Sequence, residues 1–81
     1  MFMENLWHKE ENGLQKEFIF SDFREALMFV NKVGELAEAV DHHPDIFLHT
    51  YKQVQITLFT HSANAITDKD YDLAKKIDTL V

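Results

Sequence analysis

The stretch Leu6-Trp7-His8-Lys9-Glu10-Glu11-Asn12-Gly13-Leu14-Gln15-Lys16-Glu17-Phe18-Ile19-Phe20 decides the fold class of this chain. Asn12-Gly13 is its strongest hairpin signal, because both central residues of a type I′ turn take φ > 0, which Asn and Gly tolerate. The reading predicts strands over residues 6–11 and 14–20. A two-residue loop at Asn12-Gly13 sets Trp7 opposite Phe18, and Phe20 joins that face by the period of two. The same register sets Lys9 opposite Lys16, a mildly unfavourable pair of like charges.

After this hairpin, Ser21 or Asp22 starts a helix. Either can cap, and Asp22 with Glu25 has the spacing of a capping box. Phe23, Ala26, Leu27, Val30, Val33, Ala37 and Val40 follow helical spacing along one face, and Met28, Phe29 and Leu36 widen the apolar side. The helix is expected to stop before Pro44, since the residue preceding proline disfavours the α region. Asp45 to Thr60 reads as a second hairpin. Val54, Ile56 and Leu58 alternate with Gln55, Thr57 and Phe59, residues 46–49 form the shorter partner, and the turn falls around Thr50 to Lys52. A last helix is expected from Asp68 to about Leu80, behind a Thr67-x-x-Asp70 start signal, with Leu73, Ala74, Ile77, Leu80 and Val81 as its buried stripe. The order ββαββα predicts an α+β fold: a four-stranded antiparallel sheet with two helices packed on one face, forming a single domain over residues 1–81.

Composition narrows the functional classes. The 81 residues carry 14 acidic and 8 basic side chains, a formal charge of −6. That length allows one domain, and the acidic balance argues against direct nucleic-acid binding. With no cysteine, a disulfide framework, a thiolate zinc site and a Cys nucleophile are excluded. A hydrophobic content of 46% with only 2 Gly and 1 Pro marks a folded chain. No apolar run approaches the ~18 residues of a membrane span, and Met1 to Leu6 has neither the basic nor the apolar region of a signal peptide. A cytoplasmic protein with no membrane partner is therefore expected. For so small a domain, self-association is an added source of stability.

Five histidines stand out. His42 and His43 precede Pro44, and His61 ends the strongest strand. Imidazole titrates near physiological pH and can both give and take a proton. Glu38, four residues before His42, could orient that ring if the helix reaches so far. A blander reading stands beside this one: His-His-Pro at a helix end can serve as a C-terminal cap, and Asp70 can serve only as an N-terminal one. Three imidazoles and a carboxylate could also hold zinc. However, adjacent histidines diverge on extended chain and no H-x-x-x-H pair is present, so no metal is expected. His8 and His49 are read as solvent-facing.

The run Glu38-x3-His42-His43-Pro44-x6-Tyr51-x9-His61-x8-Asp70 resembles the signature of the pterin-4a-carbinolamine dehydratases. Phe18-x-Phe20-x-Asp22-Phe23, Thr57-Leu58-x-Thr60-His61 and Leu73-Ala74-x-x-Ile77-Asp78 resemble the family's flanking segments, so the likeness runs from Trp7 to Leu80. It implies a hydro-lyase that converts 4a-hydroxytetrahydropterin to quinonoid dihydropterin, regenerating the cofactor of aromatic amino-acid hydroxylases. The resemblance implies no metal, nucleotide or other cofactor, a small-molecule pterin substrate, and a homodimer or homotetramer. It makes His42 and His61 the acid and base, while His43 binds the pterin or shares in proton transfer. Glu38 would fix His42 or hydrogen-bond the ring, and Pro44 would make the paired histidines point apart. Tyr51 would shape the site by packing and Asp70 would border it, with Lys69 where a basic residue is common. The family tends to have Gly between the last histidine and the final helix. Here that stretch is Ser62-Ala63-Asn64-Ala65-Ile66, and Asn64 can supply a left-handed residue. Some animal relatives serve as dimerisation cofactors for a transcription factor. The alternative is therefore a non-catalytic binding module, with the broad apolar side of the first helix as its surface.

Overall fold

The computed structural model describes residues 6–81, and the reading of residues 1–5 lies outside them. Alternation in β4 (Gln53–Leu58) places Val54, Ile56 and Leu58 in the core with no exposure. β4 pairs on one side with β3 (Asp45–His49) and on the other with β2 (Gly13–Ile19). β1 (His8–Glu10) completes a four-stranded antiparallel sheet of order β1-β2-β4-β3. The register sorts the two faces. Leu14↔Leu58, Phe18↔Val54, Ile46↔Ile56 and Leu48↔Val54 pair on the apolar face, while Gln15↔Thr57, Glu17↔Gln55 and His49↔Gln53 pair on the other. Helices α1 (Phe23–Val40) and α2 (Asp68–Asp78) cover the apolar face with Ala26, Phe29, Val33 and Ala37 from one and Leu73, Ala74 and Ile77 from the other. Each large side chain so buried is worth roughly 1.5–3 kcal/mol of transfer free energy. This is the expected ββαββα arrangement. None of the helices described is long and apolar enough to cross a membrane.

The first hairpin differs from its sequence reading. Glu10 pairs with Gly13, so the two-residue loop is Glu11-Asn12. Asn12 does not take a positive φ, and Gly13 does, at 143°. The reason lies across the sheet. A Cβ on Gly13 would stand 2.4 Å from the Leu58 carbonyl oxygen, so this glycine serves the close approach of β2 to β4 rather than the turn. The register moves by two residues, and Lys9 faces Leu14 instead of Lys16. A shift of two preserves which face each side chain takes, so Trp7 still meets Phe18, edge-on at 5.9 Å between ring centroids. Lys16, freed from a like charge, donates to Asp78 Oδ1 at 2.9 Å. The same oxygen accepts from Trp7 Nε1 at 3.0 Å, which ties α2 to the first hairpin.

Two further readings shift, while the second turn falls where expected. The left-handed pair occurs at Thr50-Tyr51, between β3 and β4, with φ 50° at each. The buried stripe of α1 runs through Phe29, which packs against Phe18 and Phe20 at 4.7 and 4.9 Å, and leaves Phe23, Leu27 and Val40 largely exposed. Apolar residues cover so much of this helix that period alone does not set its phase; the aromatic contacts do. His49 is half-buried rather than solvent-facing, donating from Nε2 to Glu17 at 2.6 Å and stacking on Phe47.

Gly13→Ala combines a positive φ with a backbone clash. It is expected to cost about 2 kcal/mol or more in urea denaturation, the scale of a strained non-Gly residue held by its surroundings.

Candidate active site

The site forms where α1 ends, β3 begins and β4 runs out. α1 terminates on Asp41, which adopts the left-handed conformation (φ 53°, ψ 45°). The Asp41 N–H donates to the carbonyls of Ala37 and Glu38, and the His42 N–H returns to the Ala37 carbonyl at 3.1 Å. Such a residue reverses the chain and satisfies the last carbonyls, and Asp tolerates it better than most. Pro44 then keeps His43 out of the helical region. The two adjacent rings consequently take different partners. His42 Nε2 meets Asp70 Oδ1 at 2.6 Å, and His43 Nε2 meets Glu38 Oε2 at 2.6 Å, back on α1.

On the opposite side, β4 leads into Thr60, whose N–H donates to the Ala65 carbonyl at 3.0 Å and whose carbonyl accepts the Ala65 N–H at 3.3 Å. This bridge closes a turn over residues 61–64, in which Asn64 is left-handed (φ 53°) as the sequence allowed. His61 opens the turn. It is exposed, and its ring stands edge-on to Phe59 at 5.1 Å.

Asp70 joins the two sides. Its side chain is fully buried. Oδ2 accepts the Thr60 hydroxyl at 2.8 Å and the Thr67 N–H at 2.9 Å, while Oδ1 takes His42. With the Thr60 proton committed to Asp70, the Thr67 hydroxyl donates to Thr60 Oγ at 2.7 Å. Among the described residues no buried side-chain nitrogen or oxygen lacks a partner. An ionised carboxylate only accepts, so the Asp70 contact puts the ring proton of neutral His42 on Nε2 and leaves the Nδ1 lone pair free. The same argument applies at His43. His42 also walls a cavity of about 420 Å³ between the end of α1 and α2, within the range of small-molecule sites, roughly 300–1,000 Å³.

The structure therefore links His42, Asp70 and the Thr60-His61 segment, with His43 and Glu38 adjoining through Pro44. It separates Glu38 from the role of holding His42. The four-residue spacing assumed a helix through residue 42, but α1 stops at Val40 and the left-handed Asp41 turns His42 away. Tyr51 is not brought to this cluster. It is 60% exposed at the far end of the β3–β4 hairpin, a five-residue strand away, or about 16 Å at 3.3 Å per residue. Sequence reasoning did not place Thr60 or Thr67 in the site. Their signal was faint: Thr60 preceded His61, and Thr67 marked a helix start. Among the described residues no three His, Cys, Asp or Glu side chains are gathered as a metal would require.

Comparison with known proteins gives the family and the fold. The family model described as pterin 4 alpha carbinolamine dehydratase matches residues 2–80. A relative from Sulfurisphaera tokodaii, provisionally named a pterin-4-alpha-carbinolamine dehydratase, is 47% identical over 93% of this chain and 80% of its own length. One with the same provisional name from Picosynechococcus is 50% identical over 91% and 79%. The crystal structure of a transcriptional coactivator/pterin dehydratase from Brucella melitensis superposes with a TM-score of 0.83 at 36% identity, covering 90% of this chain and 79% of that one. A pterin dehydratase-like protein identified as a RuBisCO assembly factor in the alpha-carboxysome shares the fold at a TM-score of 0.73 and 21% identity, over 91% and 87%. The chain belongs to the pterin-4a-carbinolamine dehydratase family.

The two carboxylates should respond differently to truncation. Asp70→Ala leaves buried donors and a histidine unpaired and is expected to lose about 3 kcal/mol in chemical denaturation. Glu38 is 77% exposed at its side chain; Glu38→Ala is expected to stay within about 0.5 kcal/mol, as for an exposed ion pair.

Proposed function

We propose that the protein dehydrates 4a-hydroxytetrahydropterin to quinonoid dihydropterin. The observation that carries this reading is His42, held in one tautomer by the buried Asp70 and linked through Thr60 to the segment bearing His61. The reaction needs a proton delivered to the 4a-hydroxyl and one removed from N5. The C4a–O bond breaks, water leaves, the N5 electron pair forms the C4a=N5 bond, and the N5 proton passes to a base. His42 suits the base, because its Nδ1 is free and Asp70 stabilises the imidazolium that forms. His61 suits the acid. Its ring has no hydrogen-bond partner among the described residues and faces open space where a hydroxyl can reach it. His43, steadied by Glu38 and turned aside by Pro44, binds and orients the pterin. Asp70 is a positioning residue. None of these steps calls for a cofactor, and the reading places the protein in tetrahydropterin recycling in the cytoplasm.

A second reading is a binding module. It is favoured by Phe23, Leu27 and Met28, three large apolar side chains exposed on α1, and by the coactivator and assembly-factor roles named for the two structural neighbours. The same surface suits self-association as a homodimer or homotetramer.

Stopped-flow absorbance of freshly generated 4a-hydroxytetrahydropterin separates the two, after subtraction of the uncatalysed decay. Saturable acceleration is expected. His42→Ala and His61→Ala should each lower kcat by about 10²-fold or more, the lower range of positioned acid–base catalysis. Wild-type turnover in both folded variants contradicts the assigned roles. A folded wild-type protein that accelerates nothing favours the binding module.

A further inference from the structure

The cavity beside His42 is cationic in an acidic chain. Its lining includes Lys69, Lys75 and Lys76 against the single acid Asp72, with Val40 and Leu73 as apolar wall. Three of the chain's 8 basic residues thus border one cavity in a protein of formal charge −6. Lys69, Asp72, Leu73 and Lys76 follow i, i+3, i+4, i+7 spacing and share a face of α2. Spacing alone would favour pairing of Asp72 with Lys69 or Lys76. Yet among the described residues none of these ammonium groups makes an ion pair or hydrogen bond.

Lys75 and Lys76 have a plain electrostatic explanation, since they lie in the last turn of α2, where cations suit the helix dipole. Lys69 has none. It lies in the first turn, beside the positive end of the same dipole, where a cation is unfavourable. Asp68 and Asp70 lie in the same turn, yet among the described residues neither they nor Asp72 forms an ion pair with Lys69.

We infer that this cavity receives an anionic substituent at C6 of the pterin, ending in a carboxylate or a phosphate. The inference rests on the dehydratase reading above. In the pterin ring C4a, N5 and C6 are consecutive atoms, so a substituent on C6 leaves the ring next to the N5 proton that His42 accepts. His42 forms part of the cavity wall, so the cavity adjoins the group that takes the N5 proton in that reading. Val40 and Leu73 cover its carbon atoms, and Lys69 and Lys76 meet its terminal charge. Asp72 opposes that charge and keeps the preference moderate.

The test uses three fluorescent oxidised pterins that share one ring: neutral 6-hydroxymethylpterin, its phosphate ester, and pterin-6-carboxylate. Equilibrium binding to the full chain is read by fluorescence quenching. At low salt at least one charged probe should bind about tenfold more tightly than the neutral one, equivalent to several exposed ion pairs. The preferred probe tells whether the substituent ends in phosphate or carboxylate. The preference should collapse at about 1 M salt, where the Debye length is about 3 Å. Lys76→Gln should reduce the ratio of charged to neutral affinity about threefold. Asp72→Asn should raise it, a change of opposite sign that a loss of folding cannot imitate. Lys32→Gln on α1 controls for a change of net charge alone and should leave the ratio unchanged. Equal affinity for all three probes, unaffected by Asp72→Asn, overturns the inference and leaves the dehydratase reading intact. Binding of none of them, with the protein folded, removes the pterin reading and this inference together.

Discussion

A buried carboxylate is the constraint on which the rest of this structure depends. Asp70 is withdrawn from water, and an ionised group in that position is costly unless each oxygen is hydrogen-bonded. Here the His42 ring, the Thr60 hydroxyl and the Thr67 N–H all converge on it. Those three donors come from the chain beyond α1, the end of β4 and the start of α2. One side chain therefore cross-links three segments of the chain. It also begins α2 by accepting the Thr67 N–H, a helix-capping contact. Structural and chemical roles coincide in a single residue, because the group that begins the helix also sets the tautomer of an imidazole.

The backbone around Asp70 supplies the divergence that adjacent histidines need. A left-handed Asp41 stops α1 and reverses the chain, so that His42 points toward α2 instead of continuing along the helix. Pro44 holds His43 extended, and its ring returns to Glu38. On the far side, the Thr60–Ala65 bridge and left-handed Asn64 make a tight turn that presents His61. Each feature is local, and together they bring residues 38–44 and 60–70 to one end of the sheet. The lysines of α2 extend the same end outward, so that the proposed reacting centre adjoins a lysine-lined recess.

Much of this was legible in the sequence. The alternation of Val54, Ile56 and Leu58 marked the central strand correctly, and the Thr67-x-x-Asp70 spacing located the start of α2. The spaced histidines and carboxylates identified the family before any geometry was known. What was not legible depended on contacts between segments. Asn12-Gly13 reads locally as a I′ turn, but Gly13 answers to Leu58 on β4, forty-five residues away. The phase of α1 was ambiguous because apolar residues exceed what one face needs, and only the packing of Phe29 between Phe18 and Phe20 settles it. Glu38 and His42 have helical spacing, and a left-handed residue between them is invisible to periodicity. The Asp70–His42 pair spans 28 residues, so spacing could suggest the participants without saying who holds whom.

The contact with Asp70 places the proton of neutral His42 on Nε2 and leaves Nδ1 bare. Long-range proton–nitrogen NMR correlation of the histidine rings reads this directly, at a pH where His42 is neutral. A protonated Nε2 and a bare Nδ1 are expected for His42. A proton on Nδ1, or two nitrogens averaged by free tautomer exchange, would contradict that assignment.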